Sequence, residues 1–436
     1  MYHFIGIKGS GMSALAQIMY ELGYEVQGSD YDKHFFTQIG LEKLGIKILP
    51  FDENNIKENM KIIKGAAFNS ENNSEIRKAQ ELDLDIYTYA EMVGKLTEKF
   101  KTICIAGCHG KTTTTSMFAH VLNETIGCNY LIGDGTGYAN PKNEFFALES
   151  CEYRRHFLNY SPYYAIITNI DLDHVDYFKD IDDVIDAYQT FANKAEKMII
   201  ACGDDPYTHS LEVNKPIFYY GLDDDNDIRA INVEYKNTGI SFEVEIEGNY
   251  YGSYDLPIYG KHNLLNVLAV IATCYYERME AKIIAKKLKT YQGAKRRFAE
   301  TVVDKCVIID DYAHHPNEVK ATLKAVKQKY PDKKLIAIFQ PHTYSRTKEF
   351  KDDLINVFKM ADEVYIMDIH GAREKQENFE NITSDIIIKE LENSHHINID
   401  EAKILSQYDN AVFTFMSPND ISKLEDELKS LIEEHK

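Results

Sequence analysis

The 436 residues allow two to four domains at roughly 100–200 residues each. With 49 Lys+Arg against 69 Asp+Glu the formal charge is −20, which excludes a general binder of nucleic acid or anionic membrane but leaves room for local phosphate sites. A hydrophobic fraction of 44% with 27% charged residues excludes disorder, and no apolar run approaches the ~20 residues of a membrane span.

The chain divides into three blocks, 1–98, 99–298 and 299–436. Residues 2–8 and 24–29 read as buried strands around a helix Met12–Leu22 with Gly23 at its C-terminal cap. That βαβ unit predicts a Rossmann-like domain with a parallel sheet. The opening Met1–Gly6 enters a glycine turn and does not read as a signal peptide. Met92–Lys101 reads as a helix and exit linker.

The second block opens with the strand Thr102–Ala106 and the helix Thr112–Leu122. Strands follow at Phe145–Leu148, Tyr164–Thr168 and Met198–Ala201, and the alternation of Ile240, Phe242, Val244 and Ile246 predicts an antiparallel hairpin within 228–255. Asn263–Glu277 reads as a helix, with Asn263 able to cap it. The block is a P-loop-type domain, mostly parallel. In the third block, strands Cys306–Asp310, Leu335–Phe339, Val364–Met367 and Val412–Phe415 alternate with helices near Glu318–Lys329, Lys348–Met360, Thr383–Leu391 and Ile421–Glu434, a second Rossmann-like pattern. The whole is an α/β protein. Seven scattered cysteines with no Cys-x-x-Cys pair suit a reducing cytoplasm better than a disulfide framework.

The strongest local signal is Gly107-Cys108-His109-Gly110-Lys111-Thr112-Thr113 between a strand and a helix. Such a turn aims backbone N–H groups at phosphate oxygens, the Lys neutralises phosphate charge, and the first Thr hydroxyl can ligate Mg²⁺. The standard Walker spacing needs Gly at 105, where Ile stands. Gly6-Ile7-Lys8-Gly9-Ser10-Gly11 also joins a strand to a helix, but its order is not the dinucleotide fingerprint. Glu149-Ser150-Cys151-Glu152 and Asn169-Ile170-Asp171-Leu172-Asp173-His174 lie at the carboxyl ends of strands, where open α/β sheets bind ligands. Lys261-His262-Asn263-Leu264-Leu265-Asn266, Arg296-Arg297-Phe298, Asp310-Asp311-Tyr312-Ala313-His314-His315-Pro316 and Pro341-His342-Thr343-Tyr344-Ser345-Arg346 are weak signals one by one. The paired His314 and His315 lack a third ligand at convincing metal spacing.

Taken in order, these motifs resemble the Mur ligase family over essentially the whole chain. The resemblance implies ATP-dependent amide-bond formation in peptidoglycan synthesis, and its details point to the branch joining L-alanine to UDP-N-acetylmuramate. It places Gly9, Ser10, Gly11, Asp30 and Arg154 at the UDP-sugar. It places the Gly107–Thr113 turn, His262, Asn263, Asn266 and Arg297 at ATP, with Lys111 on the β/γ-phosphates. Thr112, Glu149 and His174 would hold magnesium, two ions in all. Arg297 and Asp311 would arrive from a closing third domain and complete the catalytic set with Lys111, Glu149 and His174. Tyr312, His314, His342 and Arg346 would form the amino-acid pocket. The implied partners are ATP, UDP-N-acetylmuramate and L-alanine, with no nucleic acid and no membrane insertion.

Three departures stand out. Cys108 replaces the usual Thr, which predicts inhibition by its alkylation or oxidation. Tyr153-Arg154-Arg155 replaces a more acidic run, which weakens a metal role for Glu152. Thr343 replaces an Arg found in many relatives. Competing readings are a recycling ligase for a tripeptide, a folate-type glutamate ligase, a non-catalytic nucleotide-binding regulator, and a dinucleotide oxidoreductase.

Overall fold

The computed structural model describes residues 1–372 and 374–434. Three α/β units follow one another, each built on its own sheet. The first sheet has the order Lys47–Leu49, Val26–Ser29, Tyr2–Ile5, Lys61–Lys64, Ile86–Thr88, all parallel. Tyr2–Ile5 lies at its centre with Phe4 and Ile5 fully buried, and the glycine turn that leaves it starts the helix Ser10–Glu21. Gly23 follows that helix with φ 89°, as its capping role requires.

The second sheet has ten strands. Its parallel middle is Ile217–Gly221, Met198–Cys202, Tyr164–Ile167, Lys101–Ala106 and Phe145–Glu149. These strands read as continuous apolar runs because helices cover both faces. Cores formed by residues such as Leu148 and Phe191 on one face and Ile105 and Leu268 on the other enclose the sheet. The expected hairpin carries a third strand. Ile228–Lys236, Gly239–Ile246 and Asn249–Leu256 form an antiparallel meander, joined to the parallel part through Ile217–Gly221. The third sheet runs Ala299–Val303, Cys306–Asp311, Ala411–Met416, Lys334–Phe339, Glu363–Ile366, Ser394–His396, parallel except for its first pair.

Several elements differ from expectation for local reasons. The helix expected at Met92–Lys101 spans Tyr89–Thr97, because Thr88 and Glu91 form a capping box that starts it earlier. Lys348–Met360 divides into Tyr344–Glu349 and Lys351–Phe358 at Phe350. Thr383–Leu391 keeps only Asp385–Ile388 helical. The helix expected to be capped by Asn263 begins at Lys261 after Gly260 (φ 82°), and the Asn263 amide donates instead to the Tyr259 carbonyl at 3.0 Å. No helix among the described residues is long and apolar enough to cross a membrane.

Candidate active site

The strand Lys101–Ala106 runs into Gly107–Gly110, and the helix Lys111–Asn123 begins at once. Two positions in that turn admit only glycine. Gly107 has φ 140°, and a Cβ there would fall 1.9 Å from Thr168 Oγ1. Gly110 has φ 84°, and its Cβ would fall 2.6 Å from Asn266 Oδ1. Asn169 holds the turn like a paired strand. Its Oδ1 accepts the His109 N–H at 2.9 Å and its Nδ2 donates to the His109 carbonyl at 2.9 Å. No side chain caps the helix, so its first-turn N–H groups are left for an anion.

Lys111 lies beside this turn. It donates to Glu152 Oε2 and Oε1 at 2.9 and 3.1 Å, and to the carbonyls of Gly107 and Cys108. Burial favours the neutral amine, but the Glu152 charge outweighs it and holds Lys111 protonated. Thr112 Oγ1 donates to Glu149 Oε1 at 3.0 Å, and Arg297 Nη2 donates to Thr112 Oγ1 at 3.4 Å. Burial raises the Glu149 carboxyl despite nearby Lys111 and the Gly133 N–H. A half-buried carboxylate next to a hydroxyl oxygen is a donor set that suits Mg²⁺. His174 stands in the left-handed region (φ 52°), with Nε2 3.7 Å from Glu152 Oε1 and its ring 4.7 Å from that of Tyr153. Glu152, doubted on sequence, thus sits between Lys111 and His174.

Two cavities meet at this loop. The larger, about 790 Å³, is lined by His109, Gly110, Thr113, His262, Asn263, Asn266, Arg297 and Asp311. Burial lowers His262 to about 4, so its ring is neutral. Burial also pushes Asp311 up to about 6 against the pull of Arg297, while its carboxylate accepts the N–H groups of Phe298 and Ala313 at 2.8 and 2.9 Å. Tyr259 and Phe298 stack 6.0 Å apart at one wall, with Lys329 over both rings.

The smaller cavity, about 240 Å³, brings Lys111, Thr112, Glu149, His174 and Arg297 together with Tyr312, His314, His342 and Arg346. The Tyr312 ring lies 4.9 Å from the Arg297 guanidinium. Burial lowers His314 and keeps it neutral, with Nδ1 3.1 Å from the Tyr312 carbonyl. Arg346 approaches His342 Nδ1 at 3.3 Å and forms a buried ion pair with Asp173 across the two domains. Burial opposes the Asp173 charge, but Arg346 holds its carboxyl well below the usual range. Thr343 lies at φ 64°, a strained conformation for a β-branched residue, and also lines this cavity.

The two adjacent histidines face different ways. His314 faces the small cavity. His315 packs its ring 4.7 Å from that of His109, and His109, Asp171 and His315 place donor atoms within 4.8 Å of one another. His109 is already engaged there, with Nε2 and Nδ1 each 3.2 Å from Asp171 and Glu318.

The first-domain residues lie elsewhere. Gly9, Ser10, Gly11 and Asp30 line neither cavity. Gly9 and Ser10 are exposed, while Asp30 is buried and accepts the Lys8 and Tyr31 N–H groups at 2.7 and 2.8 Å. Its carboxylate ties the glycine turn to the second strand. Arg154 is exposed over the Tyr153 ring and lines neither cavity. Cys108 is buried, and its Sγ donates to the Asp171 carbonyl at 3.0 Å. Burial and the Glu152 charge push the thiol well up, which argues against the expected reactivity of this cysteine. Sequence reading singled out the Asn169–His174 run but gave Asn169 and Asp173 no role of their own, and it missed Glu318, whose local signal is the His-Pro-Asn-Glu start of a capped helix.

Residues 1–101 match the Mur ligase family catalytic domain, residues 105–274 the Mur ligase middle domain, and residues 296–420 the Mur ligase glutamate ligase domain. The structure is similar to UDP-N-acetylmuramate-alanine ligase MurC from Thermotoga maritima, with 25% identity, coverage of 100% of this chain and 99% of that one, and a TM-score of 0.83. The murein peptide ligase mpl from Psychrobacter arcticus shares the fold at 22% identity, covering 99% and 98%, with a TM-score of 0.75. MurF from Thermotoga maritima, solved in complex with ADP, shares it at 16% identity, covering 88% and 98%, with a TM-score of 0.67. With three consecutive domain matches and a glycine turn shaped for phosphates between them, the chain belongs to the Mur ligase family of ATP-dependent ligases of peptidoglycan-precursor synthesis.

Proposed function

We propose that this enzyme joins L-alanine to the carboxylate of UDP-N-acetylmuramate, using ATP, in the cytoplasm. The observation that carries the reading is the small cavity. It places Lys111, Thr112 and Glu149 in one enclosure with His314, His342 and Arg346 from the third domain. About 240 Å³ leaves room for a small amino acid in that enclosure. The complete set of phosphate-side residues disfavours a non-catalytic regulator.

The residues suit acyl-phosphate chemistry. Lys111 leaves Glu152 for the incoming phosphates and offsets the repulsion between the γ-phosphate and the sugar carboxylate. The carboxylate oxygen attacks phosphorus, and the bond to ADP breaks. Thr112, Glu149 and His174 would hold Mg²⁺, two ions in all, which supplies charge neutralisation for that transfer. Arg297 adds positive charge at the same hydroxyl from the domain junction. Arg346 binds the amino-acid carboxylate. Neutral His314 is placed to take a proton from its ammonium group, and the free amine then attacks the acyl carbon and expels phosphate. The third domain's walls exclude the water that would hydrolyse the intermediate. Gly9, Ser10, Gly11, Asp30 and Arg154 would hold the UDP-sugar at the first domain.

The test is phosphate release from ATP with UDP-N-acetylmuramate against a panel of amino acids and the tripeptide, with products weighed by mass spectrometry. Release that needs L-alanine, with a product heavier by one alanyl residue, is expected. Release only with the tripeptide overturns the substrate assignment, and none with any pair supports the regulator reading.

A further inference from the structure

We propose that Glu318 is a positioning residue that couples the phosphate loop to the amino-acid pocket, through His109 on one side and the His314 backbone on the other. The proposal rests on the ATP and amino-acid assignments above.

Glu318 is the third residue of the helix Pro316–Lys329 and lines both cavities. Its two carboxylate oxygens do different things. Oε2 accepts the N–H groups of His314 and His315 at 3.1 and 3.3 Å. That is a capping box, which needs only a neutral acceptor of the same shape, and the same oxygen also lies 3.4 Å from His314 Nδ1. Oε1 leaves its own domain and meets His109 Nδ1 at 3.2 Å. That contact uses the charge.

His109 is tied to the loop at every point. Its backbone is held by Asn169 and Thr168, so a shift of its ring moves the Gly107–Lys111 turn. The groups facing its ring are Asp171 and Asp173 from the central domain and Glu318 and His315 from the third. Burial favours a neutral His109, but Asp171 and Glu318 outweigh it and push the imidazolium up to about 10. Burial holds His315 neutral, at about 4. The junction is therefore one cation between two carboxylates, closed only when the third domain is seated. On the other side, Oε2 fixes the backbone of His314, whose ring stands 5.8 Å from that of His342 in the small cavity. One side chain thus spans from the nucleotide turn to the amino-acid pocket. An amino acid that settles His314 also settles the phosphate turn, and the reverse holds by linkage.

Glu318→Gln separates cap from charge, because the amide oxygen keeps the cap while the charge beside His109 Nδ1 and His314 Nδ1 is lost. Glu318→Ala removes both. The expected result for Glu318→Gln is a melting temperature close to wild type, at least a fivefold loss of affinity for a non-hydrolysable ATP analogue by calorimetry, and a rise of the amino-acid KM of tenfold or more. Analogue affinity in the wild type stays flat between pH 6 and 8. In Glu318→Gln it falls across that range, as His109 loses its proton nearer neutrality. The calorimetry needs no acceptor, so it tests the loop contact even if the substrate assignment fails. Wild-type analogue affinity and pH profile in Glu318→Gln would overturn the proposal. So would a loss of melting temperature equal to that of Glu318→Ala, which would mark the carboxylate as a cap alone.

Discussion

Lys111 Nζ lies 2.9 Å from Glu152 Oε2, and Glu152 is only 1% exposed. The lysine that the proposed function puts at the ATP phosphates is thus paired with a buried carboxylate. Breaking such a pair leaves a buried charge without a partner. Lys111→Met should cost about 3–5 kcal/mol of stability and abolish ATP-dependent phosphate release. The double variant Lys111→Met/Glu152→Gln should regain most of that stability and none of the activity. Denaturant titration beside the phosphate assay checks both. A single variant as stable as wild type would show that Glu152 does not depend on Lys111.

Gly110 sits at φ 84° with Asn266 Oδ1 where its Cβ would go. Gly110→Ala must adopt the left-handed region at about 1–2 kcal/mol and push Asn266 aside. Nucleotide affinity should fall at least tenfold by calorimetry with ADP. Gly248→Ala, with φ 76° on the surface meander and open space around it, should pay only the backbone term and bind ADP normally.

Arg346 bridges the two domains through Asp173 while facing the small cavity. In the proposed function a substrate carboxylate would share this guanidinium with Asp173. Lysine offers a point charge and cannot serve two carboxylates with one planar fork. Arg346→Lys should raise the amino-acid KM tenfold or more and leave the ATP KM within about twofold. Equal rises in both would place Arg346 in domain closure rather than in amino-acid binding.

The phosphate turn was legible in the sequence because strand, glycines, Lys111 and Thr112 are consecutive and their chemistry is local. The three sheets were legible for the same reason, through apolar runs and helical periods. The pairs that assemble the site were not. Arg346 and Asp173 are 173 residues apart, and His109 and Glu318 are 209 apart. No local pattern encodes such a meeting. The separate facing of His314 and His315 was equally hidden, since it shows only in what each meets, the small cavity for one and His109 for the other. The meander gave no clean three-strand pattern because Ile228–Lys236 is mostly exposed from Asn232 on and its register shifts between Ile231 and Glu234.

Cys108 has a buried thiol raised well above its ordinary value, and Cys151, partly exposed nearby, is pushed up to about 12. Thiolate is the reactive form, so both should be inert near neutral pH. Treatment with iodoacetamide at pH 7.5 in the absence of nucleotide should leave full activity and no carbamidomethyl group on either residue by peptide mass mapping. Stoichiometric modification of Cys108 with loss of activity would show that the turn opens far enough to expose it.

Glu425 carries a stability cost that depends on pH. Burial first, then Asp310 and Asp426, push its carboxyl up to about 7, with Arg296 and Lys429 pulling the other way. A carboxyl raised on folding binds its proton more tightly in the native state. Its contribution is complete below the unfolded value near 4.5 and is lost as pH rises through 7. Glutamine cannot ionise and escapes that loss. Allowing for partial exposure, Glu425→Gln should gain on the order of 1–2 kcal/mol at pH 8 and much less at pH 5. The melting temperature of the variant should therefore exceed that of wild type by a few degrees at pH 8, and the gap should narrow at pH 5. A gap that is the same at both values would show that Glu425 stays ionised in the fold and that the variant acts through packing.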